Sequence, residues 1–118
     1  MELTPAPQIS VIVLNYQGAR WIERCLQSLR EQSVFAEIEV IVGDNASSDG
    51  SDKLAEGLLR SWPNGRFVPH GENLGYCEGN NRAALAAHGE HLFFLNNDAW
   101  LEADCLEKLL AEVRVQGA

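Results

Sequence analysis

The polar residues that could carry out chemistry fall in four short segments, and each segment comes after an apolar run of the chain. The segments are Asn15-Tyr16, Asp44-Asn45, Asn73 with Gly75, and Asn96-Asn97-Asp98. Carboxamides and carboxylates hydrogen-bond polar ligands, and a carboxylate is a hard oxygen ligand suited to Mg²⁺ or Mn²⁺. A cation on Asp98 would bridge to a diphosphate, which a lone carboxylate would repel. Tyr16 and Asp44 could then hold a base, by ring contact and by accepting an N–H respectively.

Each segment also has a purely structural interpretation. Asn15 could close a turn, because asparagine tolerates turn geometry. Asp44-Asn45 could form an Asx turn, and Asp49 could be a first-turn acid favoured by the helix dipole. Asn96-Asn97-Asp98 could be an ordinary loop, but a short loop rarely needs a carboxylate directly after a buried strand. A functional role is therefore favoured for Asp98.

The apolar pattern predicts the elements that must position these segments. Buried strands are predicted at residues 9–14, 38–42, 66–68 and 91–95. Helices are predicted after Gly18-Ala19, after the capping segment 47–51, at 80–88 and at 103–115. This alternation predicts a single domain over residues 1–118, of the α/β class, with a doubly wound, mostly parallel sheet.

The predicted sheet explains why the four segments should meet. Ligands of open α/β sheets bind beyond the carboxyl ends of the strands, near the point where the strand order reverses. Every predicted strand ends in one of the four segments, so their side chains are expected along one edge of the sheet.

Several classes of function are excluded by what the sequence lacks. No Gly-x-Gly-x-x-Gly motif follows the first strand, which argues against a nicotinamide or flavin cofactor, and there is no Walker lysine motif. A phosphoacceptor domain would need paired acids where Asn15-Tyr16 stands. The formal charge of −8 argues against nucleic acid as a partner.

The cysteines and the hydropathy bear on the cellular setting. The three cysteines, Cys25, Cys77 and Cys105, form no Cys-x-x-Cys pair, which indicates reduced thiols rather than a disulfide framework or a zinc site. No stretch approaches the roughly 20 apolar residues of a membrane span. A cytoplasmic chain without a membrane span is therefore expected.

Taken in order, the motifs resemble those of family 2 glycosyltransferases, which have the GT-A fold. The similarity covers residues 9–110 and rests on five blocks. They are Ile9 to Tyr16, Cys25 to Leu29, Glu39 to Ser51, Asn73 to Tyr76 with Gly79-Asn80-Asn81, and Phe94 to Ala99. The last block sits where the family carries its D-x-D-type motif, and Asn96 stands here in place of the first acid.

The resemblance implies a role for each matching residue. Asn15, Tyr16 and Asp44 would line the nucleoside pocket, with Asn45 beside it. Asn80 and Asn81 would lie near the ribose or diphosphate, and Asp98 would ligate Mg²⁺ or Mn²⁺. Asn73 and Asn97, in the same blocks, complete the expected nucleotide-sugar-binding set. The Asn-Tyr and Asn-x-Asp variants resemble a rhamnosyltransferase subgroup, which implies a dTDP- or UDP-sugar donor and a role in polysaccharide or cell-envelope biosynthesis.

The resemblance also implies that part of the catalytic apparatus is not in these 118 residues. The inverting reaction needs a general base and an acceptor site, and no residue here is a credible base. Glu102 and Asp104 are interpreted as capping acids of the last helix. The chain is thus expected to bind a donor weakly, to transfer sugar inefficiently, and to self-associate through an exposed fourth strand. The alternative is a non-catalytic interaction or assembly module with the same fold.

Overall fold

The computed structural model describes residues 6–115, which form four strands and four α-helices in strict alternation. The strands are β1 (Ile9–Asn15), β2 (Ile38–Asp44), β3 (Gly65–Pro69) and β4 (His91–Asn96). The helices are α1 (Ile22–Arg30), α2 (Ser51–Arg60), α3 (Tyr76–Ala84) and α4 (Cys105–Val115), with a short 3₁₀ turn at Phe35–Glu37. Within residues 6–115, no helix combines the length and apolar character needed to cross a bilayer.

All four strands are parallel, in the spatial order β3-β2-β1-β4. The chain adds β2 and β3 on one side of β1 and then returns to place β4 on the other side. The strand order therefore reverses between β1 and β4, which confirms the predicted doubly wound sheet. Asn15 pairs in register with Asp44, and Leu14 with Asn96, so the polar segments lie level at the carboxyl edge.

The central strands β1 and β2 are apolar because both faces of the sheet are covered there. On one face Val11, Val13 and Val40 pack with buried residues of α1, α2 and α4. On the other face Ile12 and Ile41 pack against Ala83 of α3. Complete burial of such a side chain contributes about 1.5–3 kcal/mol. The two faces together hold the carboxyl edge in a fixed register.

The largest differences from the predicted helix boundaries are at α1 and α3. Residues 18–21 form a turn before α1, because the N–H groups of Trp21 and Ile22 both bond the Gly18 carbonyl. Helix α3 covers residues 76–84 instead of 80–88, because it begins directly after Gly75, whose φ is +82°. The alanines that follow continue as tight three-residue turns, not as helix. The shift brings the first turn of α3 to the carboxyl edge.

The first turn of α4 is capped by a residue that the sequence pattern did not indicate. Gln32, which is 3% exposed, accepts a hydrogen bond from the Leu106 N–H at 3.1 Å and donates to the Glu102 carbonyl at 2.7 Å. Asp104 lies one residue before the helix and pairs with Lys108 at 3.1 Å. A buried amide thus joins the end of α1 to the start of α4.

At the opposite, amino end of the sheet, Glu39 joins β2 to the loop before β4. Its Oε1 accepts hydrogen bonds from Ser10 Oγ, at 2.6 Å, and from the His88 N–H, while Ser10 Oγ accepts one from Gly89 N at 2.8 Å. Partial burial alone would raise the pKa of Glu39. The hydrogen bonds from Ser10 and His88 outweigh that effect and hold the pKa below its ordinary value of 4.5.

We expect Glu39→Gln to lower the free energy of unfolding by about 1–2 kcal/mol at pH 7, because hydrogen bonds to a charged acceptor are lost. A carboxyl whose pKa is depressed by folding stabilises the native state above its unfolded pKa, and this contribution disappears as the pH falls through the folded pKa. The difference between wild type and variant should therefore shrink below about pH 4.5. Urea unfolding at several pH values measures it, with exposed Glu23→Gln as the control. A difference that does not change with pH would contradict this account.

The loop after β2 contains a non-glycine residue in the left-handed region. Ala46 has φ +59° and is exposed, and its conformation lets the Ser47 N–H reach Asp44 Oδ2 at 2.9 Å. The left-handed region costs an L-residue roughly 1–2 kcal/mol. The loop therefore holds backbone strain that glycine would not have.

Ala46→Gly should raise the free energy of unfolding by up to about 1 kcal/mol, because relief of strain exceeds the roughly 0.5–1 kcal/mol entropic cost of glycine. Calorimetric melting would show a higher Tm. The matched control is Ala19→Gly, at an exposed alanine outside the left-handed region, which should lower the Tm. An equal decrease in Tm for Ala46→Gly and Ala19→Gly would argue against strain at Ala46.

Candidate functional site

A cavity of about 450 Å³ opens beyond the carboxyl ends of β1, β2 and β4, beside the first turn of α3. This size is typical of small-molecule sites. Six of the nine predicted site residues line it: Tyr16, Asn45, Asn73, Asn80, Asn97 and Asp98. Leu14, Gly75, Tyr76, Leu95 and Asn96 complete the lining. The predicted convergence of the polar segments is present in the structure.

Asp98 is exposed at this cavity, on a β-turn closed by a hydrogen bond from the Ala99 N–H to the Asn96 carbonyl at 3.1 Å. The thiol of Cys25 lies beneath the turn, with Sγ 3.7 Å from the same carbonyl. Burial and, to a smaller degree, the nearby Asp98 carboxylate raise the pKa of Cys25 to about 12. Cys25 is therefore a protonated, structural part of the floor, and Asp98 is the group with free access to a ligand.

Asn15 and Asp44 lie beneath the cavity and do not line it. Asn15 is fully buried, and its Nδ2 donates to Asp44 Oδ1 at 2.8 Å and to Ser51 Oγ at 2.9 Å. Asp44 is 3% exposed, and its other oxygen accepts the Ser47 N–H at 2.9 Å. Most buried polar groups in proteins are paired in this way. In this arrangement Asn15 and Asp44 join the loops under the pocket, and their contact with a nucleoside stays a prediction.

Gly18 leaves the space in which two amide groups meet. A Cβ at this position would lie 2.2 Å from Asn15 Oδ1 and 2.3 Å from Asn97 Nδ2. Those two atoms are themselves 3.0 Å apart and form a hydrogen bond. The close contact between β1 and the turn after β4 thus requires glycine here.

Asp49 connects the start of α2 to the start of α1. Its carboxylate accepts hydrogen bonds from Ser51 Oγ at 2.5 Å and from the Ala19 N–H at 3.0 Å. The bond from Ser51 is the largest cause of a pKa below the ordinary aspartate value. Asp49 lies before α2 and its N-cap Gly50, so its structural role is to join the two helix starts and not to be a first-turn acid of α2.

Asn45 lines the cavity and carries a buried acceptor, Oδ1, that has no partner among the described residues. Its side chain is 98% buried, and Nδ2 donates to the Gly75 carbonyl at 3.1 Å. A carbonyl can only accept, so this bond fixes the amide with Oδ1 on the other side. No donor among the described residues reaches Oδ1. A buried acceptor without a partner costs about 1–3 kcal/mol, which a ligand N–H would recover.

The opposite wall comes from the first turn of α3. Asn80 Nδ2 donates to the Tyr76 carbonyl at 3.0 Å, and the Tyr76 hydroxyl donates to Asn96 Oδ1 at 2.9 Å across the cavity. Tyr76 was not among the predicted site residues, although it adjoins Gly75 in the third motif. Asn81 is exposed and does not line the cavity, because one residue further along a helix the side chain points about 100° away. Its role near the ribose or diphosphate stays a prediction.

The donor set at the cavity suits a cation that is held only partly by protein. Among residues 6–115, no group of three or more His, Cys, Asp or Glu gathers to hold a metal ion. Asp98 is a single accessible carboxylate. Mg²⁺ and Mn²⁺ sites of that kind take one or two carboxylates and complete their coordination with substrate phosphates and water. The residues fit a cation that arrives with a phosphate ligand, and do not fit a resident all-protein metal site.

Comparison with known proteins connects this site to a family. The family model described as Glycosyl transferase family 2 matches residues 10–118. The chain is 36% identical over 105 residues to the putative glycosyltransferase EpsH of Bacillus subtilis, covering 88% of this chain and 30% of that protein. It is 28% identical over 112 residues to the chondroitin synthase of Escherichia coli, covering 95% of this chain and 16% of the synthase.

Solved structures show the same fold. S. aureus TarS in complex with UDP superposes with a TM-score of 0.85 at 28% identity, covering 92% of this chain and 32% of TarS. The mannosyltransferase PcManGT of Pyrobaculum calidifontis, in complex with GDP-Man and Mn²⁺, gives a TM-score of 0.75 at 31% identity, covering 85% of this chain and 30% of that enzyme. The chain spans about a third or less of the length of these proteins. The match over residues 10–118 and the shared GT-A-type sheet show that the chain belongs to glycosyl transferase family 2.

Proposed function

We propose that this chain binds the nucleoside diphosphate portion of a UDP- or dTDP-sugar, in a protein that transfers the sugar with inversion. The observation that carries the proposal is the unpaired, buried Oδ1 of Asn45 at the cavity. Because the Gly75 carbonyl fixes the amide orientation, Oδ1 is left to accept, and we infer that an N–H of the ligand is its donor. Uracil and thymine present such a group as the ring N3–H.

The same argument separates the bases. Cytosine and adenine present an unprotonated ring nitrogen at the matching position, which would leave two acceptors facing each other. Guanine has a ring N–H, and the structural neighbours were solved with UDP, UDP-GlcNAc or GDP-Man. Tyr16, half exposed at the same cavity, offers a ring face to the base. We favour uridine or thymidine, since a purine needs more room beside Tyr16.

The diphosphate needs positive charge that the cavity walls do not supply. None of the described residues lining the cavity is Lys or Arg, and the chain carries a formal charge of −8. Asp98 would hold Mg²⁺ or Mn²⁺ against the diphosphate. When bound, the cation supplies charge neutralisation of the leaving group. Asp98 contributes the protein ligand, while Asn45, Asn73 and Asn80 orient the nucleoside.

Sugar transfer needs a further carboxylate or another base to take the proton of the acceptor hydroxyl. At the carboxyl edge, Asp98 is committed to the cation and Asp44 is buried under its hydrogen bonds. We therefore propose that these residues alone bind donor and transfer sugar poorly. We also propose that the protein acts in polysaccharide or cell-envelope assembly. We propose a cytoplasmic location, because the three cysteines form no disulfide bond.

The donor proposal is tested by calorimetric titration with UDP, dTDP and CDP, with and without MnCl₂. We expect Mn²⁺ to tighten UDP and dTDP binding at least about 10-fold, and CDP to bind about 10-fold or more weaker than UDP. Asp98→Ala should remove the Mn²⁺ effect, whereas Asn45→Ala should reduce the preference for UDP over CDP. Asp104→Ala, outside the cavity, is the matched control. Absence of nucleotide binding, with indifference to Asp98→Ala, would favour the non-catalytic module instead.

The exposed edge of β4 favours self-association as a second property. Leu92 and Phe94 are 50% and 46% exposed, on one face of an edge strand that contains no proline or lysine. Such edges pair readily with other strands. We propose that two copies of the chain associate along β4.

Phe94→Thr should shift the chain toward monomer, because it removes apolar surface while threonine, which is β-branched, still suits a strand. Size-exclusion chromatography with light scattering over a concentration series measures the mass of both proteins. A wild-type chain that remains monomeric at every concentration would contradict association along β4.

A further inference from the structure

The turn that carries Asp98 is attached to the sheet by the residue before it. Asn97 and Asp98 are the central residues of the β-turn from Asn96 to Ala99. Asn97 Nδ2 donates to Asn15 Oδ1 at 3.0 Å, so the amide points down toward β1, while the Asp98 side chain is exposed. The Asn97 side chain therefore attaches the turn to β1, whereas the Asp98 side chain remains accessible to a ligand.

Asn15 is a fixed acceptor for this bond. It is 0% exposed, and its Nδ2 is held by Asp44 Oδ1 and Ser51 Oγ. Because the acid oxygen can only accept, the amide must present Nδ2 toward Asp44 and Oδ1 toward Asn97. The orientation of Asn15 is thereby set by β2 and α2, before any ligand arrives.

We propose that Asn97, held by Asn15, is a positioning residue for Asp98, and that its hydrogen bond sets the turn so that the carboxylate faces the arriving cation. The inference rests on the proposed function, because it concerns the cation at Asp98. Groups that orient a metal ligand without touching the metal typically contribute 10–100-fold to metal affinity. The motif instead suggests a direct contact of Asn97 with the nucleotide sugar. Such a contact would increase the affinity for the nucleotide both with and without metal.

The two roles make different predictions for Asn97→Ala in the full chain, titrated with UDP with and without MnCl₂. Positioning predicts that UDP affinity without metal stays within about 2-fold of wild type, and that the tightening by Mn²⁺ falls at least about 10-fold. Electron paramagnetic resonance of Mn²⁺ added with UDP reports the bound cation independently of calorimetry. Gln27→Ala, which removes an exposed amide from α1, is the matched control.

A double-mutant cycle with Asp98→Ala tests whether Asn97 acts through Asp98. In the Asp98→Ala background, which has already lost the Mn²⁺ effect, Asn97→Ala should leave UDP affinity unchanged, because residues that act through one another are not additive. A fall in UDP affinity when Asn97→Ala is added to Asp98→Ala would overturn the proposal. So would an Asn97→Ala chain that keeps the full Mn²⁺ response, or one that loses UDP affinity equally with and without metal.

Gly18→Ala disturbs the same bond without altering either amide, since its Cβ would occupy the space between them. If thermal melting shows that the Asn97→Ala chain is unfolded, Gly18→Ala is used in its place. The same loss of the Mn²⁺ response is expected for Gly18→Ala. Retention of the response in a folded Gly18→Ala chain overturns the inference. If Asp98→Ala itself leaves the Mn²⁺ response unchanged, the proposed cation site at Asp98 is contradicted, and not only the role of Asn97.

Discussion

A carboxamide without access to water must satisfy its hydrogen bonds inside the protein, and Asn15 does so with three different parts of the chain. Its partners lie at the end of β2, at the start of α2 and in the turn after β4. Leaving one of these bonds unmade would cost about 1–3 kcal/mol. One buried amide therefore fixes the mutual position of the segments that surround the cavity.

The position of Asn15 follows from the topology. It ends the strand that has β2 on one side and β4 on the other, at the point where the chain changes its direction of winding. A cavity opens naturally between the diverging connections at such a point. The polar network beneath supplies what the apolar faces of the sheet cannot, namely specific directions for the side chains above it.

The sequence was sufficient for the sheet and for the edge at which the polar residues meet, because apolar runs and their spacing reflect burial directly. It was not sufficient to tell which member of a polar pair faces the ligand. Asp44 points into the network and the adjacent Asn45 toward the cavity, a choice that depends on Asn15 and on the left-handed Ala46. The start of α3 was likewise misplaced, because its boundary depends on a positive φ at Gly75 that composition does not reveal.

The close contact around Gly18 has a consequence for how this sequence can vary. Its hydrogen sits where a methyl group would collide with amides that belong to positions 15 and 97, separated by 82 residues. The residue at position 18 is therefore not a local choice about turn geometry. A larger side chain can be tolerated at position 18 only together with a smaller one at position 15 or 97. The residues at these three positions are therefore expected to covary.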